Sequence, residues 1–270
     1  MGHRAAATAL AAKLQPLTTH TVRIINLYQE VIPDSGEKLY NWILRKGLSQ
    51  LYWPWLANLF AFKLKLLRPW HRRKLKHYWR EHPPEMVVSL VPFINMFLHK
   101  TLKQQRPHCP FAILINDYAE VEAGFLNRSH PFWLSDCDVL LCPSTKAYQQ
   151  ALHSRFDIKQ LWQLSGLVIR DQFQRIAKCQ SIGRKTGLVM YGKNPPNHLK
   201  ALLLEALKAD IELIVVCGHN TVLKQQLVSM GSNTNLQCID FVDDIARLMQ
   251  RCDFLIGKPG PNAVAEAIQM

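Results

Sequence analysis

Short runs of apolar, mostly β-branched residues alternate with segments of helical pattern, and they do so twice along the chain. In the second half the alternation is regular. Strands are expected at Thr186–Met190, Ile211–Cys217, Leu236–Ile239 and Phe254–Ile256, and helices follow them at Leu199–Leu207, Val222–Val228, Ile245–Gln250 and Ala263–Ile268. In the first half strands are expected at Thr21–Leu27, Met86–Leu90, Phe111–Ile115 and Val139–Leu141, and Leu161–Ser165 runs into a Ser165-Gly166 turn. Helices are expected at Arg4–Leu14, Asn95–Lys103 and Thr145–His153, with a broadly helical stretch over 35–80 broken at Pro54 and Pro69. Strands separated by helix-length crossovers are completed as parallel sheets with helices on both faces. Two such series, hinged near 166–185, predict an α/β chain of two doubly wound domains facing a cleft, over 1–166 and 167–270. The length, 270 residues, fits two domains of ordinary size.

Charge is the second constraint. Lys and Arg number 33 against 20 Asp and Glu, a formal net charge of +13, so an anionic partner is expected: nucleic acid, an acidic membrane face or a phosphorylated substrate. The excess is concentrated. Lys38–Arg80 holds eleven Lys/Arg and no Asp or Glu. Trp53, Trp55, Trp70 and Trp79 are interleaved with it, and Arg72, Arg73, Lys74 and Lys76 lie at its dense end. Cations mixed with Trp, Phe and Leu suit a surface dipping into an anionic membrane interface. The same mixture serves single-stranded nucleic acid by stacking and charge, or is a solvated basic helix with core tryptophans.

The cysteines, at 109, 137, 142, 179, 217, 238 and 252, sit largely in apolar runs and read as buried reduced thiols. Cys137-x4-Cys142 has no second pair nearby, against the paired spacing of a zinc site. No apolar run is long enough to cross a membrane. Met1-Gly2-His3-Arg4 leads straight into an alanine-rich helix, with neither an apolar leader nor the serine or threonine of a myristoylation site.

Phe254-Leu255-Ile256-Gly257-Lys258-Pro259-Gly260-Pro261-Asn262-Ala263-Val264-Ala265-Glu266 reads as strand, glycine turn and helix. Such a helix start offers free N–H groups to phosphate. This run resembles the donor-site motif of the two-domain, GT-B type nucleotide-sugar glycosyltransferases. It is most similar to the monogalactosyldiacylglycerol synthase and diacylglycerol glucosyltransferase family, distantly akin to the lipid II N-acetylglucosaminyltransferase. Other segments agree in order. Gly2-His3-Arg4 resembles the end of the family's first glycine loop, and Ser89-Leu90-Val91-Pro92 its SxxP segment. Asn116-Asp117 resembles its Thr-Asp stretch, Cys142-Pro143-Ser144 its CPS turn and Ser165-Gly166-Leu167-Val168-Ile169-Arg170 its Gly-Leu-Pro-Val-Arg segment. Cys217-Gly218-His219-Asn220 and Phe241-Val242-Asp243 resemble its Cys-Gly-Arg-Asn and Phe-Val-Asp segments.

The resemblance implies two Rossmann-like domains, an acceptor- and membrane-binding one followed by a UDP-sugar-binding one. Measured against the family, the first strand, most of the first glycine loop and everything after Met270 are missing. The implied activity is inverting transfer of a hexose from a UDP-sugar to diacylglycerol in glycolipid or galactolipid synthesis. The implied place is peripheral, at the cytoplasmic face of an anionic membrane, with no nucleic acid partner. His3 would be the general base, with Asp117 orienting it or the acceptor. Arg170, Gly192, Gly218, Asn220, Lys258, Pro259, Gly260, Asn262 and Glu266 would bind the donor, Arg170 at the diphosphate and Glu266 at the ribose. Trp53, Trp55, Trp70, Arg72, Arg73, Lys74, Lys76 and Trp79 would bind the membrane. No cofactor or metal is expected. The alternative is a membrane-associated binding module, or inactive fragment, with a degenerate donor site.

Overall fold

The computed structural model describes residues 2–30, 69–91, 94–118, 136–154, 156–173, 183–191, 199–229, 235–258 and 260–270. The chain divides into two compact units, Met1–Val168 and Ile169–Met270.

In the first unit α1 (Gly2–Leu14), α2 (Leu27–Glu30) and α3 (residues 69–81) precede the alternation β1 (Val87–Ser89), α4 (Asn95–Gln105), β2 (Phe111–Leu114), β3 (Val139–Cys142), α5 (Thr145–His153) and β4 (Leu161–Gln163). The four strands are parallel, in the order β1-β2-β3-β4. All of β2 is buried, as a strand covered on both faces must be. One face packs Ile113 and Leu140 against Leu75 and Trp79 of α3 and Leu98 and Leu102 of α4. On the other, Ala6 and Leu10 of α1 meet Leu90 and Leu114. Small residues at the contact let α1 lie close on the sheet: Ala6 and Ala9 are fully buried. Ser144 starts α5 by accepting the Ala147 N–H, the usual service of an N-cap serine.

The second unit runs β5 (Thr186–Met190), α6 (Leu199–Lys208), β6 (Glu212–Gly218), α7 (Thr221–Val228), β7 (Leu236–Asp240), α8 (Ile245–Gln250), β8 (Phe254–Gly257) and α9 (Pro261–Gln269). Its strands are parallel too, in the order β7-β6-β5-β8. The two-residue period of a strand sorts its core. Val189, Leu213 and Val215 face α6 and α7, while Leu188 and Ile214 face Phe173 and α8.

One expected strand does not form. Thr21–Leu27 has the β-branched alternation of a strand, yet residues 21–26 are irregular and α2 begins at Leu27. A strand needs a neighbour for its backbone groups, and this segment has local partners instead. The Gln15 side chain holds the Val22 N–H and the His20 carbonyl, and the Glu30 carboxylate accepts the Asn26 N–H.

Candidate active site

Topology places a ligand site in the second unit. From β5 the chain steps outward through β6 to β7, then returns to lay β8 on the opposite side of β5. In an open parallel sheet, the carboxyl ends of the two strands flanking such a reversal form the ligand crevice. Gly257 lets β8 close on β5 there, since a Cβ at this position would run into the Met190 carbonyl oxygen. The chain then turns through Lys258, which is exposed, and Gly260 into α9. No side chain caps that helix, and Pro261 stands in its first turn. A helix start without a side-chain cap leaves its first N–H groups available as anion donors. Asn262 is buried. Pro259 and Gly192 lie outside the described residues.

The structure brings Arg170 and Glu266 together. Arg170 Nε donates to Glu266 Oε1 at 3.0 Å and Nη2 to Oε2 at 3.2 Å, a fork on both carboxylate oxygens. The guanidinium lies over the Phe173 ring, 4.6 Å from its centroid. Glu266 is 6% exposed, so the bidentate pair supplies the charge partner that a buried carboxylate requires. Each carboxylate oxygen keeps accepting capacity after one bond, and the pair fixes where that capacity points. Arg170, expected at the diphosphate, is held here by Glu266.

Two further donor candidates take structural posts. Asn220 is the N-cap of α7, its Oδ1 accepting the Leu223 N–H at 3.0 Å. Gly218 has φ +60°, a left-handed turn that glycine makes at little cost. It carries the chain off β6 to His219, whose ring stacks on Phe241 at 5.1 Å with an interplanar angle of 8°. This exposed pair at the carboxyl ends of β6 and β7 is a flat surface on which a planar ring can stack. Its residues are far apart in sequence, and neither motif signals the other.

In the first unit His3 stands in the first turn of α1, with its Nδ1 2.8 Å from Asn116 Nδ2. Asn116 is two residues beyond β2 and 7% exposed. The pKa of His3 is lowered, first by desolvation of the ring and then by the chain's amino terminus; hydrogen bonds with Asn116 and the Leu90 backbone, and the charge of Asp117, oppose this. The ring is therefore held neutral near neutral pH, the form in which an imidazole can take a proton. Asp117, expected to orient His3 or the acceptor, accepts the Tyr118 N–H at Oδ1, at 2.8 Å, and its charge acts on the His3 ring. The side chain in hydrogen-bond contact with His3 is that of Asn116, which reasoning from the sequence missed.

The basic segment is described from residue 69. In α3, His71, Leu75 and Trp79 follow each other at four-residue steps and are buried. Trp79 is 4% exposed, and its Nε1–H donates to Thr101 Oγ1 at 3.2 Å. It is a core residue, not part of a membrane surface. Trp70 is 46% exposed, with Lys74 Nζ 4.0 Å above its ring. Arg73 is exposed beside them, and Arg72 and Lys76 are partly so. Trp53 and Trp55 lie outside the described residues. No described helix is long and apolar enough to cross a membrane.

No family model matches the chain. A probable monogalactosyldiacylglycerol synthase 2 of Oryza sativa subsp. indica is 24% identical over 305 residues, covering 99% of this chain. A processive diacylglycerol β-glucosyltransferase of Bacillus pumilus is 23% identical over 289 residues, covering 98% of this chain and 71% of its own. The homologues of this chain are glycolipid glycosyltransferases. It spans 61% of the length of the rice relative. Among solved structures, MurG of Acinetobacter baumannii superimposes with a TM-score of 0.55 and 17% identity, over 98% of this chain and 70% of MurG. The fold is accordingly GT-B, with two Rossmann-like units.

Proposed function

We propose that the chain transfers a hexose, with inversion, from a UDP-sugar to the free hydroxyl of diacylglycerol at an anionic membrane surface. The observation that carries this is His3: a neutral imidazole over the carboxyl ends of β1 and β2, in a chain whose homologues bear the names of glycolipid synthases. In this reading the acceptor oxygen attacks C1 of the sugar, and its proton passes to His3 as the C1–O bond to UDP breaks. The second unit holds UDP. Glu266 accepts the ribose hydroxyls, while Lys258 and the first-turn N–H groups of α9 meet the diphosphate charge that grows as UDP leaves. That charge is answered without a metal. The basic, Trp70-bearing face of α3 holds the chain at the leaflet carrying the acceptor.

The test supplies UDP-galactose or UDP-glucose to the chain with vesicles containing diacylglycerol and anionic lipid, and follows hexosyl-diacylglycerol and its anomeric configuration. His3→Ala is expected to cut turnover by about 10²–10⁴-fold, the usual share of a general base, with UDP affinity by calorimetry unchanged. Weak UDP binding with a near-normal rate at saturation makes His3 a phosphate ligand instead. Failure of the unaltered chain to bind UDP favours a membrane-associated binding module with a degenerate donor site.

A further inference from the structure

We propose that Asn95 binds the acceptor, donating from its side-chain Nδ2 to an ester carbonyl of diacylglycerol. The proposal rests on the reading of the chain as a glycosyltransferase acting on diacylglycerol, and adds the group that recognises that acceptor. Three observations carry it.

Among the described residues, Asn95 Nδ2 is buried with no hydrogen-bond partner. The whole residue is 1% exposed, and a native fold seldom leaves a buried donor unpaired without a reason. The amide is also held. Ser89 Oγ donates to Asn95 Oδ1 at 2.7 Å and accepts the Val91 N–H at 3.4 Å. The accepting end of the amide is therefore occupied, and its donating end is the one left over. Finally, the amide lies at the carboxyl end of β1. Ser89 closes that strand and Asn95 opens α4, so the bond between them spans the turn that joins strand to helix. Leu90, in the same turn, makes a backbone hydrogen bond with the His3 ring.

What remains at this place is donors. No side chain caps α4, whose N-cap is Ile94, and the first N–H groups of such a helix start have no helical acceptor. A ligand must therefore bring an acceptor oxygen. The surroundings choose among acceptors: Leu90, Ile94 and Leu98 are buried, and an apolar setting admits a neutral carbonyl far more readily than a charged phosphate. Diacylglycerol carries an ester on the carbon next to the one that bears its free hydroxyl. A donor on that ester satisfies Nδ2 and holds the hydroxyl at a fixed reach, which is how binding becomes orientation. An ether-linked glycerolipid of the same shape has no carbonyl to offer, and it leaves the buried N–H unpaired.

The experiment compares the full chain with its Asn95→Asp and Asn95→Ala variants. Asn95→Asp keeps the oxygen that Ser89 holds and removes only the N–H, and a carboxylate suits the first turn of a helix, so this variant is expected to fold. Side-chain amide ¹⁵N–¹H spectra are recorded with dioctanoylglycerol and with its dioctyl ether counterpart, the Asn95 signals being identified by their loss in Asn95→Asp. Those signals are expected to move with the ester and to stay in place with the ether. Turnover is measured with UDP-galactose or UDP-glucose on vesicles carrying either lipid. In the unaltered chain kcat/KM is expected to favour the ester by about 10-fold. The preference vanishes in both variants, with UDP affinity by calorimetry unchanged. Asn95 signals that do not respond to the ester overturn the proposal, whatever the rates. So does an ester preference that survives Asn95→Asp. Signals that move with the ester in a chain that transfers no hexose uphold the acceptor contact and overturn the transferase reading instead.

Discussion

At the scale of single residues, the Arg170–Glu266 pair is unequal, and the inequality can be measured. The Glu266 side chain is 8% exposed and that of Arg170 33%. Removing Arg170 leaves a carboxylate buried without its partner. Removing Glu266 leaves a guanidinium that already lies on the Phe173 ring and reaches solvent. Arg170→Ala is therefore expected to cost about 2–4 kcal/mol of stability, and Glu266→Ala about 1 kcal/mol. UDP affinity should reverse the order. Glu266→Ala loses hydrogen bonds from the ribose to a charged group, about 1.5–3 kcal/mol or roughly 10–150-fold, and Arg170→Ala loses only the fixing of that group. Thermal melts and calorimetry on the two variants check this, and equal melting temperatures refute the asymmetry. The sequence pointed to Glu266 and Arg170 through their motifs. It held no sign that they meet each other, because the pairing depends on how residues 171–173 pack beside α9.

At the scale of the element, α3 shows why composition alone misassigns a side chain. Trp70 and Trp79 are nine residues apart, so at 100° per residue they stand on opposite sides of a helix. Only one of them can face the surface. The four-residue steps His71, Leu75, Trp79 name the inward stripe, and the cations fill the remainder. Reading the segment as one aromatic and basic mixture loses this phase. Trp79→Ala is expected to destabilise the first unit by about 3–5 kcal/mol, while Trp70→Ala stays within about 0.5 kcal/mol of the parent. Denaturant unfolding of the two variants separates them; similar losses would mean that Trp70 is also a packing residue. Thr21–Leu27 makes the complementary point. Its pattern of residues is a strand's, but pattern does not supply a neighbouring strand. The strands that were legible, such as Phe111–Leu114 and Thr186–Met190, are those that the crossover helices return to a sheet.

For the whole molecule, the double alternation of strand and helix made two parallel sheets legible without any contact being known. The strand order was not in the sequence. The β5–β8 reversal, where an open parallel sheet forms its ligand crevice, depends on which side of β5 the last strand takes. Net charge is a property at this scale, and it leads to the last expected outcome. An excess of +13 gives the whole chain a pull toward anionic surfaces, but the pull is effective only where cations face outward together. The one carboxylate on α3, Glu81, pairs with His77 at 3.0 Å, and among the described residues no ion pair engages Arg72, Arg73, Lys74 or Lys76. Each Lys or Arg near an anionic leaflet contributes about 1 kcal/mol. Replacing Arg72, Arg73, Lys74 and Lys76 with Gln should then weaken vesicle binding by up to about 10³-fold. The melting temperature should hold, since the inward stripe is untouched. The unaltered chain should co-sediment with phosphatidylserine-containing vesicles, not with neutral ones. It should be released as salt shortens the screening length from about 8 Å at physiological strength to about 3 Å at 1 M. Equal co-sedimentation of the quadruple variant would remove α3 from the membrane surface. Oligonucleotide binding that matches or exceeds vesicle binding would assign the cluster to nucleic acid instead.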